Sequence, residues 1–152
     1  MMGNWISPQA HVMTHIRMAQ RLSKSRFFLY RKFAPLVRYR LARSWGVYIH
    51  PNATIGNVWF AHPTGVVIGA GAVVEDEVTI YQGVTLGARD SVEGAYPSVR
   101  RGSVIYAGVT VIGGVTIGPN ATIGANSVVL ADVPPGCTAV GIPARTIQRG
   151  PM

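Results

Sequence analysis

The stretch Ile117-Gly118-Pro119-Asn120-Ala121-Thr122-Ile123-Gly124-Ala125-Asn126-Ser127-Val128 repeats one six-residue phrase: an aliphatic residue, a glycine, two variable positions, a small residue and one more. The aliphatic mark returns upstream at Ile49, Ile55, Ile68, Val74, Ile80, Leu86, Val99, Ile105 and Val111, and downstream at Val129. Four residues after most marks stands something small or β-branched, among them Ala53, Ala72, Val78, Val84, Ser103, Val109, Val115 and Val133. A period of six fits neither a helix, which needs 3.6, nor a simple strand, which needs 2. It is a repeat architecture, and repeats of this length read as a parallel β-helix whose coils bury their aliphatic residues on one another. The spacing breaks twice, around Ala61 to Val67 and between Leu86 and Val99, and those breaks are the expected places for function. Gly56, Gly69, Gly87, Gly118 and Gly124 follow marks and are expected to supply positive-φ corners.

Working outward, the chain divides into a leader (1–46), the coils (47–133) and a tail (134–152) with a proline-rich turn and a final extended stretch lying back along the coils. With 152 residues, 48% of them hydrophobic and 13% charged, one domain with an appendage is expected. The single Cys137 excludes an intramolecular disulfide framework and any metal site built from several cysteines; no metal is expected. The N-terminus lacks a continuous apolar core, and no run approaches the ~18 apolar residues of a membrane span. A cytoplasmic protein is expected.

The charge is unevenly placed. Arg17, Arg21, Lys24, Arg26, Arg31, Lys32, Arg38, Arg40 and Arg43 all fall in the leader, which has no Asp or Glu, so the formal net charge of +8 belongs there. Val12, Ile16, Ala19 and Leu22 recur at helical spacing, and a second segment, 26–43, interleaves aromatic residues with arginines and is expected to break or bend near Pro35. Two amphipathic helices follow. They have two readings: a cap over the open end of the coils or against a neighbouring subunit, and a peripheral dock on an anionic membrane at the inner face of the cell membrane. Nucleic acid is not an expected partner, because no recognition motif accompanies the charge.

Five strings together resemble one family: Ile49-His50-Pro51, Ala61-His62-Pro63-Thr64-Gly65-Val66-Val67-Ile68-Gly69, Gln82-Gly83-Val84-Thr85-Leu86-Gly87, Ile123 to Val129, and Val140-Gly141-Ile142-Pro143-Ala144-Arg145. They are similar to the hexapeptide-repeat acyltransferases and, within them, to the serine acetyltransferase-like branch. The resemblance implies an all-β body, a left-handed parallel β-helix shaped as a triangular prism, preceded by the short helical leader. It implies a homotrimer, acetyl-CoA as donor substrate, and active sites between subunits. The family's catalytic histidine carries over to His62. An imidazole can take the proton of an acceptor hydroxyl as the oxygen attacks a thioester. On the donor side the resemblance implies Ala107 and Ala125, one coil apart, as the small residues against which the pantetheine arm lies, with Thr85, Gly87 and Arg145 as further contacts, the arginine for CoA phosphates. His50, in a repeat corner, reads as structural.

The chain departs from the serine enzymes of that branch at definite positions. Tyr48 and Ala61 stand where they place aspartates, and Ala95-Tyr96 stands where they place an Arg-His pair. Without a carboxylate partner, His62 is expected to be oriented by a backbone carbonyl, Tyr48 or Gln82. The departures resemble a short variant of the branch that acts in surface-polysaccharide synthesis. The first expectation is therefore O-acetylation of a sugar hydroxyl, on a small-molecule or lipid-linked acceptor, with Tyr48, Gln82 and Tyr96 as acceptor contacts. Serine as acceptor and a non-catalytic trimeric scaffold are the alternatives. The interruption between Leu86 and Val99 is expected to project toward the acceptor.

Overall fold

A computed structural model describes residues 8–23, 25–89 and 95–147 of the chain. After the helices α1 (Pro8–Ser23), α2 (Phe28–Arg31) and α3 (Ala34–Trp45), the backbone winds through three parallel sheets in rotation, so that every third strand joins the same face. The first face holds β1 (Tyr48–Ile49), β4 (Val67–Ile68), β7 (Thr85–Gly87), β10 (Thr110–Ile112) and β13 (Val128–Val129). The second holds β2 (Thr54–Ile55), β5 (Val73–Val74), β8 (Ser98–Val99) and β11 (Thr116–Ile117). The third holds β3 (Trp59–Phe60), β6 (Thr79–Ile80), β9 (Val104–Ile105), β12 (Thr122–Ile123), β14 (Thr138–Gly141) and β15 (Ala144–Ile147), of which only β15 is antiparallel to its neighbour. This is the parallel β-helix that the period of six implied, left-handed as the family resemblance implied.

Register explains the sequence phrase. Ile68, Leu86, Val111 and Val129 stack in one column, and Ile80, Ile105 and Ile123 in another, all pointing into the prism and almost fully buried. Buried aliphatic side chains of this size each contribute about 1.5–3 kcal/mol. Each coil also satisfies the next along the backbone: Val67 N–H donates to the Val84 carbonyl at 2.9 Å, Thr85 N–H to Val109 at 2.9 Å and Thr110 N–H to Ser127 at 2.9 Å. The two buried serines find partners too. Ser103 donates its hydroxyl to carbonyls of Arg100 and Gly118, and the Ser127 hydroxyl oxygen accepts from Gly141 N–H.

Four expectations need correction. The mark that the sequence pattern lacked between Ile55 and Ile68 is Phe60, fully buried and paired with Ile80. The first coil thus turns one corner a residue early and the next corner two residues late. The glycines after the marks do not supply left-handed corners; none of the five adopts that region. At Gly118, for example, a Cβ would lie 2.6 Å from the Pro135 nitrogen, so the constraint there is close approach of the next coil. Left-handed backbone appears instead at Gly65 (φ 65°), Gly83 (φ 68°) and Gly108 (φ 69°), continued by Asn126 (φ 57°), stacked along a single edge.

The third correction concerns the number of helices. The second segment breaks just before Pro35, as expected, but into α2 and α3, so the described part of the leader holds three helices rather than two, with Pro35 in the first turn of α3, where a proline loses no hydrogen bond the helix could make. The fourth concerns the tail. Ile117 still pairs with Val133, and β14 still stacks on β12, so the prism runs past Val133 before β15 folds back.

The leader covers the open end of the prism. Val12 and Ile16 of α1 and Leu41 of α3 are buried in the same apolar cluster as the coils. Gly46 closes α3 in the left-handed conformation, its N–H donating to Ala42, and the chain passes directly into the first strand. On the edge between the second and third faces, Arg100 and Arg101 bridge to Glu75, Asp76 and Glu77 of the preceding coil. The Arg100 guanidinium, which donates to Glu75, holds that exposed carboxyl below its ordinary pKa.

Phe60 carries the largest fully buried side chain. Phe60→Ala should destabilise the protein by about 3–5 kcal/mol, read as a lowered denaturation midpoint in urea. A variant as stable as the parent would show that the first coil is not anchored by this ring.

Candidate active site

The edge between the third and first faces is where the chain breaks its own rhythm. In the second coil, Tyr81 and Gln82 are the two residues between Ile80 and the left-handed Gly83; in the first coil, Ala61, His62, Pro63 and Thr64 separate Phe60 from Gly65. The extra length is absorbed as a bulge. Thr64 N–H donates to the His62 carbonyl at 2.8 Å, and Gly83 N–H donates to the Thr64 carbonyl at 2.9 Å, which restores the ladder. Pro63 turns inward and is buried, while His62 is left exposed at the apex. A buried proline on a hydrogen-bonded bulge holds the backbone beneath the imidazole in one conformation.

The imidazole faces Tyr81, with ring centroids 6.0 Å apart and planes tilted by 58°. Tyr81 in turn stacks on Tyr106 of the next coil at 5.0 Å and 26°. Among the described residues no side chain hydrogen-bonds His62. The sequence did not single out either tyrosine, although a signal was there. Both directly follow marks, Ile80 and Ile105, at the position where Gly56, Gly69, Gly87, Gly118 and Gly124 stand after other marks.

Beyond the rings the same edge continues through Gln82, Ala107 and Ala125. Their register is fixed by backbone: Gly108 N–H donates to the Gln82 carbonyl at 2.9 Å, and Asn126 N–H to the Ala107 carbonyl at 2.8 Å. The carbonyls are thereby consumed, whereas the N–H groups of Ala107 and Ala125 have no backbone partner among the described residues. With methyl side chains at Ala107 and Ala125, these two donors are not covered by a bulky group of their own residue. Arg145, exposed on β15 opposite Val140, stands at its far end. With five strand spacings between β3 and β15, His62 and Arg145 lie about 24 Å apart along the prism.

The remaining expected residues are placed elsewhere in one chain. Thr85 lies in the outward row of the first face, with Val67 and Thr110 beside it, and Gly87 closes β7 at the next edge, beneath Ile112. Tyr48 is in that same row, adjacent to Val67, and lines a cleft with Ile16 and Leu41 of the leader rather than the His62 corner. The ring that His62 meets is Tyr81, not Tyr48. Tyr96 lies flat over Gly69 and Gly71, where a Cβ on either would approach it to 2.6 Å, and so clamps the return of the long interruption. Residues 90–94 of that interruption, expected from the sequence to project toward the acceptor, lie outside the described residues. His50 has the structural role expected: its Nδ1 accepts from Asn52 N–H at 3.2 Å, within a corner. No group of His, Cys, Asp and Glu among the described residues could hold a metal ion.

Comparison with known proteins adds to this geometry. The family profile described as bacterial transferase hexapeptide (six repeats) matches residues 96–131. Serine acetyltransferase of Helicobacter pylori strain J99 is 42% identical over 145 residues, covering 93% of this chain and 82% of the relative. The chain belongs to the serine acetyltransferase family. The Escherichia coli K12 member is 42% identical over 121 residues, covering 78% of this chain and 44% of that enzyme. Among solved structures, soybean serine acetyltransferase complexed with serine superposes with a TM-score of 0.81 at 42% identity, covering 90% of this chain and 56% of that one. Brucella abortus serine acetyltransferase in complex with coenzyme A gives 0.85 at 37% identity, covering 92% and 56%. The chain therefore spans little more than half the length of these solved members of the family. The resemblance to the acyltransferase fold holds; the expected affinity for the surface-polysaccharide variants gains nothing from these relatives.

The contact between His62 and Tyr81 can be checked directly. Tyr81→Ala should shift and broaden the imidazole resonances of His62 in solution NMR, whereas Tyr48→Ala should leave them in place. The reverse pattern would make Tyr48 the neighbour that orients the base.

Proposed function

We propose that the protein is an acetyl-CoA-dependent serine O-acetyltransferase working as a homotrimer, with His62 as general base. The observation that carries this is the lone histidine held on a buried-proline bulge, at the head of an edge of open N–H donors and small side chains that ends at Arg145. Family membership, including relatives whose structures hold CoA or serine, supports the same reading. In this mechanism the hydroxyl oxygen attacks the thioester carbonyl while His62 takes its proton. A carbon–oxygen bond forms, the carbon–sulfur bond breaks, and His62 returns the proton to the departing CoA sulfur. Ala107 and Ala125 bind the pantetheine arm through their N–H groups, and Thr85 and Gly87, which lie on the first face and at its other edge, reach it from a neighbouring subunit of the trimer. Arg145 pairs with phosphate oxygens, a charge-assisted contact.

A second reading, acetylation of a sugar hydroxyl, is favoured by one set of observations. The positions expected to grip a zwitterionic amino acid are Tyr48, Ala61, Ala95 and Tyr96, which provide no formal charge, and the base is flanked instead by the stack of half-buried Tyr81 on exposed Tyr106. Flat aromatic faces suit the apolar face of a ring better than a small charged amino acid.

Release of free thiol from acetyl-CoA, followed with millimolar serine, decides between them. Turnover should depend on serine and should fall about 100- to 10,000-fold in His62→Ala while the oligomer is retained. No turnover with serine, but turnover with a sugar, would establish the second reading; full activity in His62→Ala would remove this histidine from the chemistry.

The donor track makes its own prediction. Ala107→Leu and Ala125→Leu should each weaken CoA binding by calorimetry at least tenfold, since a branched side chain would obstruct the N–H groups. Undiminished affinity would place the pantetheine arm elsewhere.

A further inference from the structure

The leader does more than close the prism. Val12, Ile16, Ala19, Ala34, Val37 and Leu41 face inward and are buried. A second apolar set on the same short stretch faces away from the coils. Phe27, Phe28 and Leu29 are consecutive and 66–70% exposed, Phe33 and Leu36 are more than half exposed, and Met18 and Leu22 line a shallow hollow with them between α1 and α3. A cap needs one apolar face; this one has two.

The charges around the outer face are of one sign. Arg21, Arg26, Lys32, Arg40 and Arg43 are exposed, and no Asp or Glu occurs in residues 1–46. The ion pairs among the described residues all lie far along the chain, between Glu75–Glu77 and Arg100–Arg101. Lys32 sits 4.9 Å over the Phe28 ring, so the apolar tip and a cation are presented together. Aromatic and aliphatic residues bordered by Lys and Arg are what an interfacial helix needs to enter the headgroup region of an anionic bilayer. A second copy of the leader would bring like charges together. The apolar residues are also spread over three elements rather than gathered in a shaped pocket, which suits a fluid lipid surface better than a folded protein partner. No described helix is long and apolar enough to cross a membrane, so the contact would be peripheral.

We propose that the leader docks this protein peripherally on anionic lipid, with Phe28 and Leu29 entering the interface and Arg26 and Lys32 pairing with headgroups. The orientation follows from the fold. The leader packs on β1 and β3, and His62 follows β3 by two residues, so the base lies at the membrane end of the prism and Arg145 at the opposite end. The proposal is independent of which hydroxyl is acetylated.

The test is cosedimentation of the full-length protein with phosphatidylcholine vesicles, with and without phosphatidylglycerol, at low and high salt. Binding should require phosphatidylglycerol and decline with salt. Arg26→Ala and Lys32→Ala should each weaken it about fivefold, and the double variant Phe28→Ser, Leu29→Ser about tenfold or more. Circular dichroism and sedimentation velocity on the same samples check folding and assembly, and the single-cation variants keep the test valid if the double variant misfolds. Absence of vesicle binding, or equal binding to neutral vesicles, would overturn the proposal. A changed oligomeric state in Phe28→Ser, Leu29→Ser would instead identify the patch as an interface between copies, and retention of a soluble acidic protein in place of lipid would identify a protein partner.

Discussion

Coil-to-coil stacking is the interaction on which the rest of this molecule depends. Strands of two or three residues cannot hold a sheet by themselves, and each is stable only because its N–H groups meet carbonyls of the next coil while its one inward side chain lands on the one below. That requirement is local and repetitive. It turns a six-residue phrase into a face of a prism and tolerates an insertion wherever the inserted residues can leave the ladder and return to it.

The candidate site lies at such an insertion. At Ala61 to Thr64 the ladder is interrupted and rejoined through the Thr64 carbonyl, and the cost of leaving it is offset by burying Pro63 and Phe60 beneath. The exposed product is His62, carried on that bulge. The adjoining regular corners contribute differently: the carbonyls of Gln82 and Ala107 are committed to the next coil, whereas the N–H groups of Ala107 and Ala125 have no backbone acceptor among the described residues, and their side chains are small. The proposed binding track is thus an edge of the repeat without any departure from the repeat.

The leader shows the same economy. Its inward residues complete the first coil, which would otherwise expose Val47 and Ile49, while its outward residues and concentrated positive charge are unrelated to that task. The coils are nearly neutral, so the electrostatic character of the whole protein is set by a segment that contributes no strand.

The period of six, with aliphatic marks from Ile49 to Val129, determined the parallel β-helix by itself, because each mark needs only its neighbour one coil away and the pattern repeats in the chain. The strings around His62 and around Ala125, through the family resemblance they carry, likewise pointed to the proposed base and donor edge. Tertiary structure alone decided three things. Phe60 proved to be a hidden mark, because an aromatic ring fills the aliphatic column only where a corner is shortened. Left-handed backbone fell on Gly65, Gly83 and Gly108 rather than on the glycines after the marks, because those are pressed against the next coil. Tyr81, not Tyr48, became the neighbour of His62: residues nineteen apart in sequence meet when the coil is lengthened by one, and no local pattern records which corner absorbs the extra residue.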